Sequence, residues 1–287
     1  MTRSISLNQL GDEDIDFIRA EVDKRLGEAK KGNQIIRDTI FYILELNARV
    51  LYYPVEDEDI CGFSVQYKEK KFVFINTFIP LEKQIFAAAH ELFHIWYSDI
   101  AKGWLLKSVI LDNQDISDPE IQKEDIKANR FAAEFLMPKT VLINEMDIRS
   151  IKKDNLNLQH LVELMDIFMV PYKTIVLRLY EIGYLDEKSC KEFLNTPDRD
   201  DNTGVLYNQK KLSLCKRNNE RDKRIKLDKC TFYSIEAYEK GSINLQKLKY
   251  FLSLEDKTLR EFGYEEPSDF KPCSEEYILN ALNETDE

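Results

Sequence analysis

The chain has 287 residues, 43% of them hydrophobic and 32% charged, with a formal net charge of −11. That length can bury a sizeable core and fits one large domain plus a smaller one. The acidic balance argues against generalised nucleic-acid binding, and no apolar run approaches the roughly 20 residues that span a bilayer. The opening MTRSISLNQLGDEDID holds no apolar stretch of secretory type, so no signal peptide is expected. The cysteines (Cys61, Cys190, Cys215, Cys230 and Cys273) are far apart and form no C-x-x-C pair. Reduced thiols in a cytoplasmic protein are the expectation.

Up to about Gly32 the sequence is charged and helical in pattern, with Ile15, Phe17, Ile18, Val22 and Leu26 as a loose apolar stripe. A second helix is predicted over Gln34 to Leu46, with Ile36, Ile40, Ile43 and Leu44 inward. From Ala48 the texture changes. ARVLYYPV, GFSVQY and KFVFINTF are β-branched and aromatic runs separated by acidic or lysine-rich turns, which predicts strands. Lys68-Glu69-Lys70-Lys71 reads as the hairpin between the last two. An extended peptide could add to an edge of this sheet. A sheet that only packs on the next helix fits the pattern equally well.

That next helix runs from about Leu81 to Ser98 without Pro or Gly and contains His90-Glu91-Leu92-Phe93-His94, an H-E-x-x-H pattern. Side chains four apart on a helix share a face, so His90 and His94 can address one metal ion. Glu91 lies about 100° round from His90, within reach of a water in the metal's open position. Such a water, acidified to a pKa near ~7, is the nucleophile of metallopeptidases, with the Glu as its general base. Two of the chain's three histidines fall in this window. Burying both beside Phe86, Leu92, Phe93 and Trp96 would be costly without a neutralising partner. The Ala87-Ala88-Ala89 run lets another backbone approach this helix closely.

The third ligand is less plain. A metzincin needs Gly at position 97 and His at 100, and the sequence has Tyr97 and Ile100. His160, the remaining histidine, sits in LQHLVELMDIF, where packing or solvent explains it. A carboxylate from the helical segment Glu124 to Pro138 is the other source, since small residues at 128, 132 and 133 permit close packing. Asp99 to Glu124, with Trp104-Leu105-Leu106, could cover the cleft. Tyr97 could serve as a nearby donor, or simply pack.

Together, H-E-L-F-H and the following A-N-R-F-A-A-E-F-L-M-P resemble the ImmA/IrrE family of bacterial metallopeptidases. The resemblance covers roughly Gln34 to Leu185 and implies an α+β fold: a mostly helical zincin-like domain with a small β-sheet beside the H-E-x-x-H helix. It implies Zn2+ held by His90, His94 and a carboxylate three residues before the A-N pair, which here is Asp125 where the family has Glu. Adjacent Glu124 is the alternative. Asp125 shares a face with Ala128, Asn129 and Ala132, whereas Glu124 shares one with bulky Phe131. The resemblance also implies a protein substrate of one kind: a helix-turn-helix repressor or antitoxin, often encoded beside the peptidase, whose cleavage releases gene expression.

The later segment LVELMDIFMVPYKTIVLRLYEIGYL resembles the family's closing helices. Its helix-turn-helix look suggests DNA readout, but after Lys173 only Arg178 offers a cation before Tyr180, so core packing is the better reading. Beyond about Lys188 the pattern fades. The expected division is an N-terminal helical segment (1–33), the metallopeptidase domain (34–188), a linker (189–209) and a small helical module (210–287). Lys210 to Lys229 carries nine Lys or Arg against three acids, a solvated face before it is a docking site for an acidic partner or nucleic acid. Two readings compete. One is a cytoplasmic zinc endopeptidase with Glu91 as base. The other is a regulator or toxin–antitoxin component that sequesters a transcription factor without cutting it. A zinc that only staples the fold would call for four protein ligands, and three are found. Two histidines and one carboxylate would also accept manganese or iron(II).

Overall fold

In the computed structural model, which describes residues 10–67, 69–98, 119–214 and 219–265, the charged first segment folds as helix α1 (Asp12–Glu28). Asp12, Glu13 and Asp14 occupy its first turn and Arg25 its last, each sign facing the helix end that favours it. Ile18, Val22 and Leu26, spaced four apart, are its buried stripe. Helix α2 (Thr39–Asn47) begins later than the sequence predicts. Arg37 takes a left-handed φ of 48°, which stops a helix from running through it, although Ile36 is still buried.

Strands β1 (Arg49–Tyr53), β2 (Gly62–Tyr67) and β3 (Lys70–Asn76) form where the β-branched runs predict them. Their order is β2-β3-β1. β2 pairs antiparallel with β3 (Phe63 opposite Phe74), and β1 pairs parallel with it (Leu51 opposite Phe74). Buried Asn76 closes the end of the sheet. Its Oδ1 accepts the Val55 and Phe78 N–H groups, and its Nδ2 lies within 2.9 Å of the Val55, Asp57 and Ile60 carbonyls. Gly62 is needed for space: a Cβ there would stand 2.8 Å from the Phe74 carbonyl oxygen and 3.7 Å from the Ala87 methyl.

Helix α3 (Leu81–Tyr97) packs on this sheet, on α2, and along α4 (Pro119–Leu136). Ala87, Ala88 and Ala89 from α3 and Ala128, Ala132 and Ala133 from α4 are all buried, and short side chains allow the axes to come close. Flanking the alanines is an aromatic ladder. Phe93 and Phe131 rings lie 5.6 Å apart, Phe131 and Phe135 5.4 Å, and Trp96 and Phe135 6.2 Å. Fully burying one Phe contributes roughly 1.5–3 kcal/mol, so this contact is among the strongest in the fold. Salt bridges tie α4 to α1 through Lys123 (3.0 Å) and Lys127 (2.7 Å), both to Asp14.

Helices α5 (Lys139–Ile148), α6 (Leu158–Phe168) and α7 (Tyr172–Glu181) complete the main core. In the α6–α7 pair Lys173 is exposed, but Tyr172, Thr174 and Arg178 are buried. Arg178, the one later cation of the helix-turn-helix reading, therefore faces protein. Its guanidinium bonds the Met137 carbonyl (3.1 Å) and pairs with Glu134 (3.1 Å) and Glu181 (3.2 Å). Arg130 reaches the same two acids, each at 3.2 Å.

The stretch 189–209, read from sequence as a linker, holds most of helices α8 (Glu187–Leu194) and α9 (Gly204–Lys211), with Cys190 and Val205 fully buried. The chain divides into two compact units after Arg224. Within the second, α10 (Cys230–Glu239) and α11 (Leu245–Ser253) pack around Leu248, Leu252 and Leu259. Glu255 accepts the Leu227 and Thr231 N–H groups at 2.9 and 3.2 Å. Among the described residues, no helix is long and apolar enough to cross a membrane. The possible cover at 99–118, Lys68, Cys215 and Cys273 lie outside the described residues.

Candidate metal centre

Helix α3 carries His90 and His94 one turn apart, and α4 brings Asp125 across to them. The His90 and His94 Nε2 atoms are 3.1 Å apart. Asp125 Oδ1 lies 3.1 Å from the first and 4.0 Å from the second. All three residues are buried, and together they make a set able to hold a metal ion. Two imidazoles and a carboxylate suit a first-row divalent ion, and the donor atoms converge as one requires. The residues present fit such a group.

The other imidazole nitrogens are occupied. His90 Nδ1 lies 2.9 Å from Asn129 Oδ1, and His94 Nδ1 lies 2.9 Å from Ser98 Oγ at the end of α3. Burial opposes charge on His90, but the Asp125 carboxylate, followed by Glu91 and the Asn129 contact, outweighs it and raises the pKa above the ordinary histidine value. At His94 burial and the neighbouring His90 act together and hold it well below that value. A divalent cation at this place would need both Nε2 atoms free of protons.

Glu91 is fully buried next in sequence to His90. Glu124 is only half-buried, whereas Asp125 is 1% exposed, so the phase of α4 turns Asp125 rather than Glu124 toward the histidines. His160 lies in the first turn of α6, where its backbone N–H donates to the capping Asn157 Oδ1 (3.1 Å), and it takes no part in the cluster. Tyr97 is committed elsewhere. Its hydroxyl donates to Glu21 (2.7 Å) and accepts from Arg25 Nε (3.0 Å), and the Arg25 guanidinium stacks over Trp96 at 4.4 Å. These contacts fasten the end of α3 to α1.

The start of α3 is held by part of the basic stretch. Leu81 N–H, an orphan donor of the first turn, bonds the Glu220 carbonyl at 2.9 Å. Thr77 Oγ1 donates to the Arg224 carbonyl (2.9 Å), and Arg221 bonds the Phe78 carbonyl (2.7 Å) and Glu58 (2.6 Å). Arg224 stacks on Phe41 and Tyr52 at 4.4 and 4.3 Å. Charge counting along the sequence gave no sign of this, because the carbonyls bonded by Arg221 and Thr77 lie 143 and 147 residues from them and the rings under Arg224 lie farther still. Asn129 was likewise read only as sharing the face of Asp125; its approach to His90 needs both helices in place.

Residues 44–180 match the family model of the IrrE N-terminal-like domain of peptidase family M78. Curated proteins give no significant match. Among solved structures, a Mycobacterium tuberculosis transcriptional regulator is similar at 16% identity and a TM-score of 0.39. That match covers 58% of this chain and 48% of the regulator, so this chain spans about half of the regulator's length.

Proposed function

Since the chain belongs, through residues 44–180, to the IrrE N-terminal-like family of metallopeptidases, we propose that it is a zinc-dependent endopeptidase that cleaves a specific cytoplasmic helix-turn-helix repressor or antitoxin. The observation that carries the peptidase reading is the meeting of His90 Nε2, His94 Nε2 and Asp125 Oδ1, with Glu91 buried beside them. In this reading His90, His94 and Asp125 hold the metal. When bound, the ion supplies Lewis acidity, lowering the pKa of a water to about 7 and polarising the scissile carbonyl. Glu91 accepts the proton of the attacking water and delivers it to the leaving amine. Burial of the four side chains keeps bulk water from screening these charges. Among the described residues β2 stands at one end of the strand order beside α3, the place where an extended substrate segment would add to the sheet in this reading.

The repressor class comes from the resemblance of the H-E-L-F-H and A-N-R-F-A-A-E-F-L-M-P segments to the ImmA/IrrE family. The test is incubation of the zinc-loaded protein with the helix-turn-helix regulator encoded beside its gene, followed by mass spectrometry of the products. One defined cut is expected from the wild type and none from Glu91→Gln, with metal content equal in both. Removal of the ion by a chelator should also stop cleavage, and added zinc should restore it. If Glu91→Gln leaves the regulator's release from DNA unaltered, sequestration replaces proteolysis as the function.

A further inference from the structure

We propose that Asn129 is a positioning residue that fixes which nitrogen of His90 faces the metal. The inference rests on the metal reading above and concerns how the chain prepares one of its ligands.

Asp125 and Asn129 are four residues apart on α4, hence one above the other on a single face. Asp125 Oδ1 stands 3.1 Å from His90 Nε2, and Asn129 Oδ1 stands 2.9 Å from Nδ1 of the same ring. One turn of α4 therefore brackets both nitrogens of a side chain that belongs to α3. A neutral imidazole carries one N–H and one lone pair, and an amide oxygen can only accept. With its oxygen toward the ring, Asn129 selects the form with its proton on Nδ1, which leaves the Nε2 lone pair to the ion that Asp125 and His94 would share.

The partner of His94 does not impose the same choice. Ser98 Oγ, 2.9 Å from Nδ1, can donate or accept, and Ser98 is half-buried at the end of α3. The control exerted on His90 is stricter and comes from the neighbouring helix. Buried Ala128 and Ala132 keep α4 close enough to α3 for a side chain as short as Asn to reach the ring. The amide also leaves the ligand set with the single negative charge of Asp125. Outer partners of this kind typically carry a 10–100-fold effect on metal affinity.

The test compares the full-length wild type, Asn129→Leu and Asn129→Asp, by competition of Zn2+ against a chromophoric chelator. Nitrogen NMR of the wild type loaded with spin-active cadmium then shows which ring nitrogen is bonded. Only three histidines contribute signals. Expected results are cadmium coupling to His90 Nε2, a loss of about 10–100-fold in zinc affinity for Asn129→Leu, and near wild-type affinity for Asn129→Asp, which keeps an acceptor. Unchanged affinity in Asn129→Leu overturns the proposal, as does equal loss in both variants or coupling to His90 Nδ1. Should Asn129→Leu fail to fold by circular dichroism, the wild-type NMR result decides alone. A wild type that takes up neither Zn2+ nor cadmium overturns the metal reading itself, which separates the two failures.

Discussion

Glu82 occupies the first turn of α3, almost wholly buried, with Arg199 3.6 Å away as its counter-charge. Burial pushes its pKa from an ordinary 4.5 to about 7, against the pull of its own backbone N–H and Arg199. A carboxyl raised in this way binds more protons folded than unfolded, so stability falls as pH rises from 4.5 toward 7 and stays lower above it. Glu82→Gln removes that loss. At pH 8 its unfolding free energy should exceed wild type by about 1–3 kcal/mol, shrinking toward zero near pH 4.5, as read by urea denaturation. At the metal centre, Asp125→Ala should lose the ion in a dialysis and metal-content assay while Glu124→Ala keeps it. That choice shows how far single residues were legible. The i, i+4 histidines and their Glu follow from helix geometry alone. Between two adjacent acids, however, only the phase of α4 decides, and that phase is set by Phe131, Phe135 and the alanines packing on α3. The resemblance, together with the small residues on the Asp125 face, pointed to the acid that the structure brings beside the histidines.

At the level of elements, β2 and α3 are pressed together at Gly62. Gly62→Ala would force its methyl against the Phe74 carbonyl at 2.8 Å, a backbone atom that cannot swing aside. About 1–3 kcal/mol of destabilisation is expected in thermal or denaturant unfolding. A larger effect belongs to the buried cluster between α4 and α7. Burial raises the Glu134 carboxyl, but Arg178 and then Arg130 outweigh it and hold it below the ordinary range. Its stabilisation is therefore present above the ordinary Glu pKa and lost as pH falls through the depressed folded value. Arg178→Met leaves Glu181 with Arg130 alone and Glu134 with Arg130 and the more distant, exposed Arg19 (3.8 Å), and a loss of about 3–5 kcal/mol is expected. Adding Glu134→Gln to that variant should recover part of it, so the double change costs less than the two single ones together. The strands and the helices flanking them were readable because their periodicities are local. The roles of Arg178, Asn76 and Arg221 were not, because each serves carbonyls or charges that sequence places tens of residues away.

Across the whole molecule, a metal that binds only the folded chain adds to its stability by mass action, about 2.7 kcal/mol at a hundredfold excess over its dissociation constant. Zinc should therefore raise the midpoint of thermal unfolding in the wild type and leave Asp125→Ala unmoved. Among the described residues, the fully buried apolar side chains of the second unit are Leu248, Leu252 and Leu259, few beside those of the main core. Amide exchange in α10 and α11 should be faster than in α3 and α4, whose alanine-lined contact lies in the main core. The extent of the first unit, with α8 and α9 inside it, was not legible from a polar stretch carrying Pro and Gly. Cys190 and Val205 are single apolar residues whose burial depends on distant surfaces.

Helix α4 is pegged near one end by Lys123 and Lys127 to Asp14 of α1, and near the other by Glu134 to Arg178 and Arg130 to Glu181 of α7. Sliding it by a single position would shift Asp125 about 1.5 Å lengthwise and swing it about 100° away from the histidines. These pegs set how far Asp125 reaches toward α3. Loosening either peg would therefore detune the centre from a distance, with neither histidine touched.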